Sequence, residues 1–188
     1  VTDGARKSLD PLTQASVTVA WIIVLNKPFY PVYVWYLARE GAAASLGTLI
    51  ATPFFAAIPF IARRSSLAAR VSLPLVGTVD TLFETKLFGP ASGTELFYAA
   101  CILLVAVSFK AEELWWQRCA ALIVFLIFVY SRNCIGTPLS VWDRDDLSTL
   151  LSLNAFAVAG LTTFIALRSA GNLRAAGLGA GNEHQKHG

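Results

Sequence analysis

The sequence predicts an all-α, polytopic membrane protein, a bundle of six transmembrane helices, and three observations carry that expectation. Of the 188 residues, 55% are hydrophobic and only 14% are charged, far from a soluble domain's composition. Six apolar stretches approach the roughly 20 residues that a helix needs to cross a bilayer, at residues 15–37, 42–61, 71–88, 92–109, 114–130 and 147–167. The alternating segments of about ten residues that build a membrane β-barrel are absent.

These stretches divide the chain into a cytoplasmic N-terminal leader (residues 1–12), a six-helix transmembrane domain (13–169) and a disordered, glycine-rich cytoplasmic tail (170–188). No room is left for a soluble catalytic domain. The formal charge of +3 calls for no nucleic acid, because an excess of Lys and Arg on the cytoplasmic side accompanies membrane insertion. Cys101, Cys119 and Cys134 are odd in number and belong to different spans, so they read as free thiols. No cleavable signal peptide is expected, since the first apolar segment is itself long enough to span.

The first span is interrupted by Asn26, Lys27, Pro28 and Pro31. Each proline removes an amide and obstructs the carbonyl four residues back, which predicts a kink or local unwinding near the bilayer centre. Such a break either serves packing or marks a ligand or ion site. Tyr33, Trp35 and Tyr36 at its far end suit a membrane interface. The second span carries Pro53 and Pro59 and ends at Arg63 and Arg64.

The third span, VSLPLVGTVDTLFETKLF, is the unusual one. Gly77, Asp80 and Glu84 share one helical face, flanked by Thr81 and Thr85. About nine apolar residues at roughly −0.5 kcal/mol each favour insertion, whereas two central acids cost roughly 5 to 7 kcal/mol. The stripe must therefore face protein or trapped water. A turn through Gly89 and Pro90 leads to Ser92-Gly93-Thr94-Glu95, whose spacing predicts a helix capping box with Glu95 as its acid. The fourth span ends at Lys110, and Trp115 and Trp116 open the fifth at an interface. In the outer connection before the sixth span, Trp142 is expected on the membrane surface and Asp143, Asp145 and Asp146 in water. Asn154 is expected to hydrogen-bond a neighbouring helix.

Lys and Arg beside the span ends number nine on one side (Arg6, Lys7, Arg63, Arg64, Arg70, Lys110, Arg118, Arg168, Arg174) and four on the other (Arg39, Lys86, Arg132, Arg144). The imbalance places both termini in the cytoplasm, as in a multi-pass protein of the bacterial inner membrane. That topology brings Lys27 and Asp80 to similar depth, with Glu84 one turn further out. Lys27 is then the natural counter-ion of the acids, and Tyr30 shares its face. The four residues Lys27, Tyr30, Asp80 and Glu84 form the candidate ligand site; the alternative is an ion pair that only locks two helices.

Several chemistries are excluded. His184 and His187 both lie in the tail, so no intramembrane pair can hold a haem. There is no H-E-x-x-H and no phosphate-binding loop. The segment GPASG at residues 89–93 lacks the spacing and the histidine of an intramembrane serine protease, and Asp3-Gly4-Ala5-Arg6 is not followed by the paired aspartates of a phospholipid synthase. No catalytic residue, metal or other cofactor is expected.

The segment ASGTELFYAACILLVAVSF (91–109), the Lys/Glu turn after it, a last span ending in Ala-Leu-Arg, and KPFYPVYVWYL in the first span together support a family resemblance. Over residues 71–176 the chain resembles the six-helix membrane domains that precede the catalytic part of some bacterial adenylate cyclases and quorum-sensing hybrid histidine kinases. The resemblance implies a dimeric receptor for small or lipophilic ligands whose last helix drives a cytoplasmic signalling helix. The chain departs from that pattern after Arg168, where Gly171, Gly177, Gly179 and Gly181 are expected to end the helix and no kinase or cyclase follows.

The functional expectation is a non-enzymatic receptor or regulatory module that binds a small amphiphilic ligand among membrane lipid and signals through a homodimer or a membrane-protein partner. The alternatives are a small ion- or proton-coupled transporter, and a structural or assembly subunit of a larger membrane complex.

Overall fold

The computed structural model describes the backbone of residues 9–38 and 42–184 and side chains as far as Gly171. Most of the expected leader (1–8) lies outside the described residues, as do 39–41 and 185–188. The described chain is all-helical, with no strand.

Helix α1 (Pro11–Asn26) starts where Asp10 accepts hydrogen bonds from the Thr13 amide at 3.1 Å and the Thr13 hydroxyl at 2.7 Å. Pro11 sits in the first turn, where its missing amide costs nothing. The helix stops at Lys27 and resumes as α2 (Phe29–Ala38) after a 41° bend, at the prolines that forecast it. A short turn α3 (Ala42–Ser45) and a 3-10 segment (Leu46–Ala51) lead into α4 (Thr52–Arg64).

Helix α5 (Ser66–Phe88) is capped by Ser65, whose hydroxyl accepts from the Ala68 amide, and ends at Gly89 with φ +88°. It packs against α1, α4, α6 and α7 and is the centre of the molecule. Two 3-10 turns follow (Pro90–Ser92 and Thr94–Leu96), joined by Gly93 in the left-handed region. A Cβ at Gly93 would lie 2.6 Å from Leu151 Cδ1 and 3.2 Å from Leu151 Cα, so glycine lets the turn press directly on the last helix. Then come α6 (Phe97–Val107), α7 (Leu114–Cys134) and α8 (Arg144–His184).

Among the described residues, three helical stretches are long and apolar enough to cross a membrane, Ala43–Arg64, Ala111–Cys134 and Arg144–Gly171, and the bent α1–α2 pair is a fourth if it counts as one span. The other two expected spans differ for physical reasons. At about 34 Å, α5 has the length but is polar through Arg70, Asp80, Glu84 and Lys86. The apolar run Thr94–Val107 is short, about 21 Å of helix.

Three local expectations need revision. Glu95 is no helix cap: the 3-10 turn at Thr94–Leu96 has no side-chain cap, and Glu95 instead pairs with Arg132 at 2.7 Å and accepts from Ser131 at 3.4 Å. Trp142 turns inward onto Phe88, with ring centroids 5.6 Å apart. Asp143 stays exposed, as expected, and also caps α8 by accepting from the Asp146 amide at 2.8 Å. Finally, the helix does not end after Arg168, because α8 continues to His184. Glycine in a helix costs about 1 kcal/mol relative to alanine, which weakens a helix without forbidding it. The tail expected to be disordered thus falls partly within α8 and partly outside the described residues.

The interior has three apolar clusters. The largest joins Val19 and Ala20 of α1, Phe55 and Ile58 of α4, Leu73 of α5, Leu104 of α6 and Ile165 of α8. A second gathers Val34, Leu87, Phe88 and Leu150, and a third joins α6 to α7 through Tyr98, Val105 and Val124. The outside is rich in exposed large apolar side chains, among them Trp35, Tyr36, Phe54, Phe60, Trp115 and Phe125. That is the surface expected of helices facing lipid.

Candidate functional site

The break between α1 and α2 builds one end of the site. Pro28 cannot donate to the carbonyl of Val24, the Lys27 amide still bonds Ile23 at 2.9 Å, and the Tyr30 amide returns to the Lys27 carbonyl at 3.1 Å. The Lys27 side chain is thereby aimed inward, 9% exposed, at α5. A second irregularity faces it. In the 3-10 segment the Thr52 amide bonds Leu49 instead of Thr48, and the Thr48 carbonyl accepts from Lys27 Nζ at 2.7 Å.

On α5, Asp80 and Glu84 stand one turn apart. Lys27 Nζ lies 2.8 Å from Asp80 and 2.9 Å from Glu84 Oε1, and the acid side chains are 10% and 14% exposed. All three ammonium protons are accounted for by Thr48, Asp80 and Glu84. Neighbouring α5 hydroxyls stay out of this network: Thr78, Thr81 and Thr85 each donate to the carbonyl four residues back, at 2.7 to 2.8 Å. The Lys27 ammonium also lies 5.9 Å from the centre of the Phe55 ring.

Tyr30 lines the same space. Its buried hydroxyl lies beside the Asn154 amide, yet neither that hydroxyl nor Asn154 Oδ1 completes a hydrogen bond among the described residues. Asn154 is fixed from its other end by donating from Nδ2 to the Ser92 carbonyl at 2.8 Å. The structure therefore brings Lys27, Tyr30, Asp80 and Glu84 together. It adds Thr48 and Asn154, of which only Asn154 carried a signal in the sequence, as an amide inside an apolar helix.

These residues form one end of a cavity of about 540 Å³ between α1, α2, α5, α6 and α8. The remaining wall is apolar and aromatic, with Ile22, Leu104, Phe97, Leu161 and Phe164. Tyr33 and Phe156 both line the cavity and are exposed, at 49% and 79%, so it opens to the surface beside them. Gly160 also lines it, and a Cβ there would meet nothing within 4 Å.

Among the described residues, no three His, Cys, Asp or Glu side chains come together as metal ligands. A second ionic centre lies at the other end of α5. Arg70 is fully buried and donates to Glu113 at 2.6 Å, to the Ser108 carbonyl at 3.4 Å and to Ser66 at 3.3 Å, tying α5 to the turn between α6 and α7.

Fold and site together define an all-helical protein that has membrane-length apolar helices and a cavity charged at one end and open to the surface beside Tyr33 and Phe156. Comparison of the chain with protein-family models, curated proteins and solved structures gave no match.

Proposed function

We propose that the protein is a membrane-embedded, non-enzymatic receptor or regulatory module that binds a small amphiphilic ligand in this cavity. The observation that carries the reading is the cavity's division into a charged end, at Lys27, Asp80, Glu84 and Tyr30, and an apolar remainder open beside Tyr33 and Phe156. An amphiphile matches both parts, and a lateral opening lets it enter from lipid. In this reading six helices cross a bacterial inner membrane with both termini inside, as in the receptor domains of the cyclases and kinases that the chain resembles. Ligand occupancy is passed to a homodimer or a membrane-protein partner through α8, to which Asn154 links the site.

A second reading, a small ion- or proton-coupled transporter, draws support from the 41° break in α1–α2 beside the charges. Substrate flux into liposomes that ceases in Lys27→Met would favour it.

The test of the receptor reading is melting of the purified protein in a maltoside detergent with single-chain amphiphiles bearing cationic, anionic and uncharged heads. At least one should raise the melting temperature of the wild type, and the shift should shrink in Gly160→Leu, which adds bulk at the cavity wall without a clash at Cβ. Equal shifts in both proteins, or none in the wild type, would defeat the reading.

A further inference from the structure

We infer that the cavity selects an amphiphile with a cationic, hydrogen-bond-donating head, an amine in the simplest case; this rests on the receptor reading and assigns its ligand class. The charged end holds one ammonium against two carboxylates, and no other formally charged side chain lines the cavity. The one ammonium is used up, since Lys27 Nζ is committed to Thr48, Asp80 and Glu84. Acceptors remain. No described donor reaches Glu84 Oε2, and the Tyr30 hydroxyl is buried without a hydrogen-bond partner on the cavity wall. A carboxylate or phosphate head would meet two like charges and find no free ammonium proton. An ammonium head would bring the missing positive charge and donate to Glu84 and to the Tyr30 hydroxyl oxygen. The rest of the cavity, whose whole volume is about 540 Å³, suits a short acyl or alkyl chain.

The experiment compares decylamine, decanol and decanoate below their micellar concentrations, by calorimetry on the protein in maltoside at neutral pH. Decylamine should bind at least about tenfold more tightly than decanol, and decanoate more weakly than either. Glu84→Gln should reduce decylamine to the level of decanol, and Tyr30→Phe should reduce the amine's advantage in part. If neither variant folds, the three-ligand series on the wild type still decides. Decanol binding as tightly as decylamine, while Gly160→Leu weakens both, would overturn the amine preference alone. No difference between wild type and Gly160→Leu for any of the three would overturn both the preference and the receptor reading. Competition of decylamine by phosphatidylethanolamine, but not by phosphatidylglycerol, in nanodiscs would identify an aminolipid head as the source of this chemistry. Absence of competition would identify a free amine, and either result upholds the class.

Discussion

The Lys27 ammonium and the Asp80 carboxylate meet at 2.8 Å across 53 positions of sequence, each side chain no more than 10% exposed. Such a contact joins the broken α1–α2 element to the central helix at one point. Desolvating three charges is expensive, and their attraction and hydrogen bonds offset that cost only while all partners are present. The same point is the polar end of the cavity, so what holds these helices together also defines what can bind between them.

The two outer ion pairs should differ sharply in their contribution. Arg70 is 2% exposed, so Glu113→Gln strands a buried guanidinium and should lower stability by about 3 to 5 kcal/mol. Arg132 is 62% exposed but its partner Glu95 only 10%, so Arg132→Ala leaves a largely buried carboxylate with Ser131 alone and should cost less than Glu113→Gln, about 1 to 2 kcal/mol. Melting of both variants in detergent checks the ranking.

Acid should weaken the start of α1. Burial pushes the Asp10 carboxyl up, but hydrogen bonds from the Thr13 side chain and amide, together with the Arg70 charge, hold it below its usual value. A depressed folded-state value means that the stabilisation is complete above an unfolded carboxyl's value of about 4 and is lost as pH falls through the folded one. The stability of wild type over Asp10→Asn should therefore be present at neutral pH and shrink below about pH 4. An unchanged gap at low pH would refute the linkage.

Thiol labelling tests the proposed orientation. Cys134 is exposed, Cys119 is half-buried and Cys101 is buried. With both termini inside, a membrane-impermeant maleimide on whole, wall-stripped cells should label Cys134 alone. Labelling that survives Cys134→Ser and vanishes in Cys119→Ser would invert the topology.

Much of the site was legible because charges in apolar segments are costly. Lys27, Asp80 and Glu84 had to find partners, and matching their depths in the bilayer selects each other. The α1–α2 break was equally legible from Pro28 and Pro31. What escaped the sequence depends on backbone irregularity or on competition among partners. The Thr48 carbonyl becomes a ligand for Lys27 only through a 3-10 turn that no residue type announces. Glu95 had a cap within reach by spacing, but Arg132 and Ser131, supplied by a distant helix, took it. Trp142 has the composition of an interfacial residue, yet the connection before α8 is latched to α5 by Leu139 and Ser140 amides donating to Lys86 and Leu87, and the ring is carried onto Phe88. Helix α5 is long but not apolar, and its charges lie against partners inside the protein.

The most direct measurement of the central claim, that Lys27 and its acids act as one unit at the end of the cavity, is a double-mutant cycle on Lys27 and Asp80. Lys27→Met and Asp80→Asn should each destabilise, by up to about 3 to 5 kcal/mol, because each strands a buried charge. The double variant should recover much of that loss, with a coupling energy well above the roughly 0.5 kcal/mol scatter of independent sites. The same cycle with Glu84→Gln in place of Asp80→Asn shows how far Glu84 substitutes as a partner. Strictly additive losses in both cycles, in detergent and in nanodiscs, would contradict the pairing and with it the charged end of the cavity.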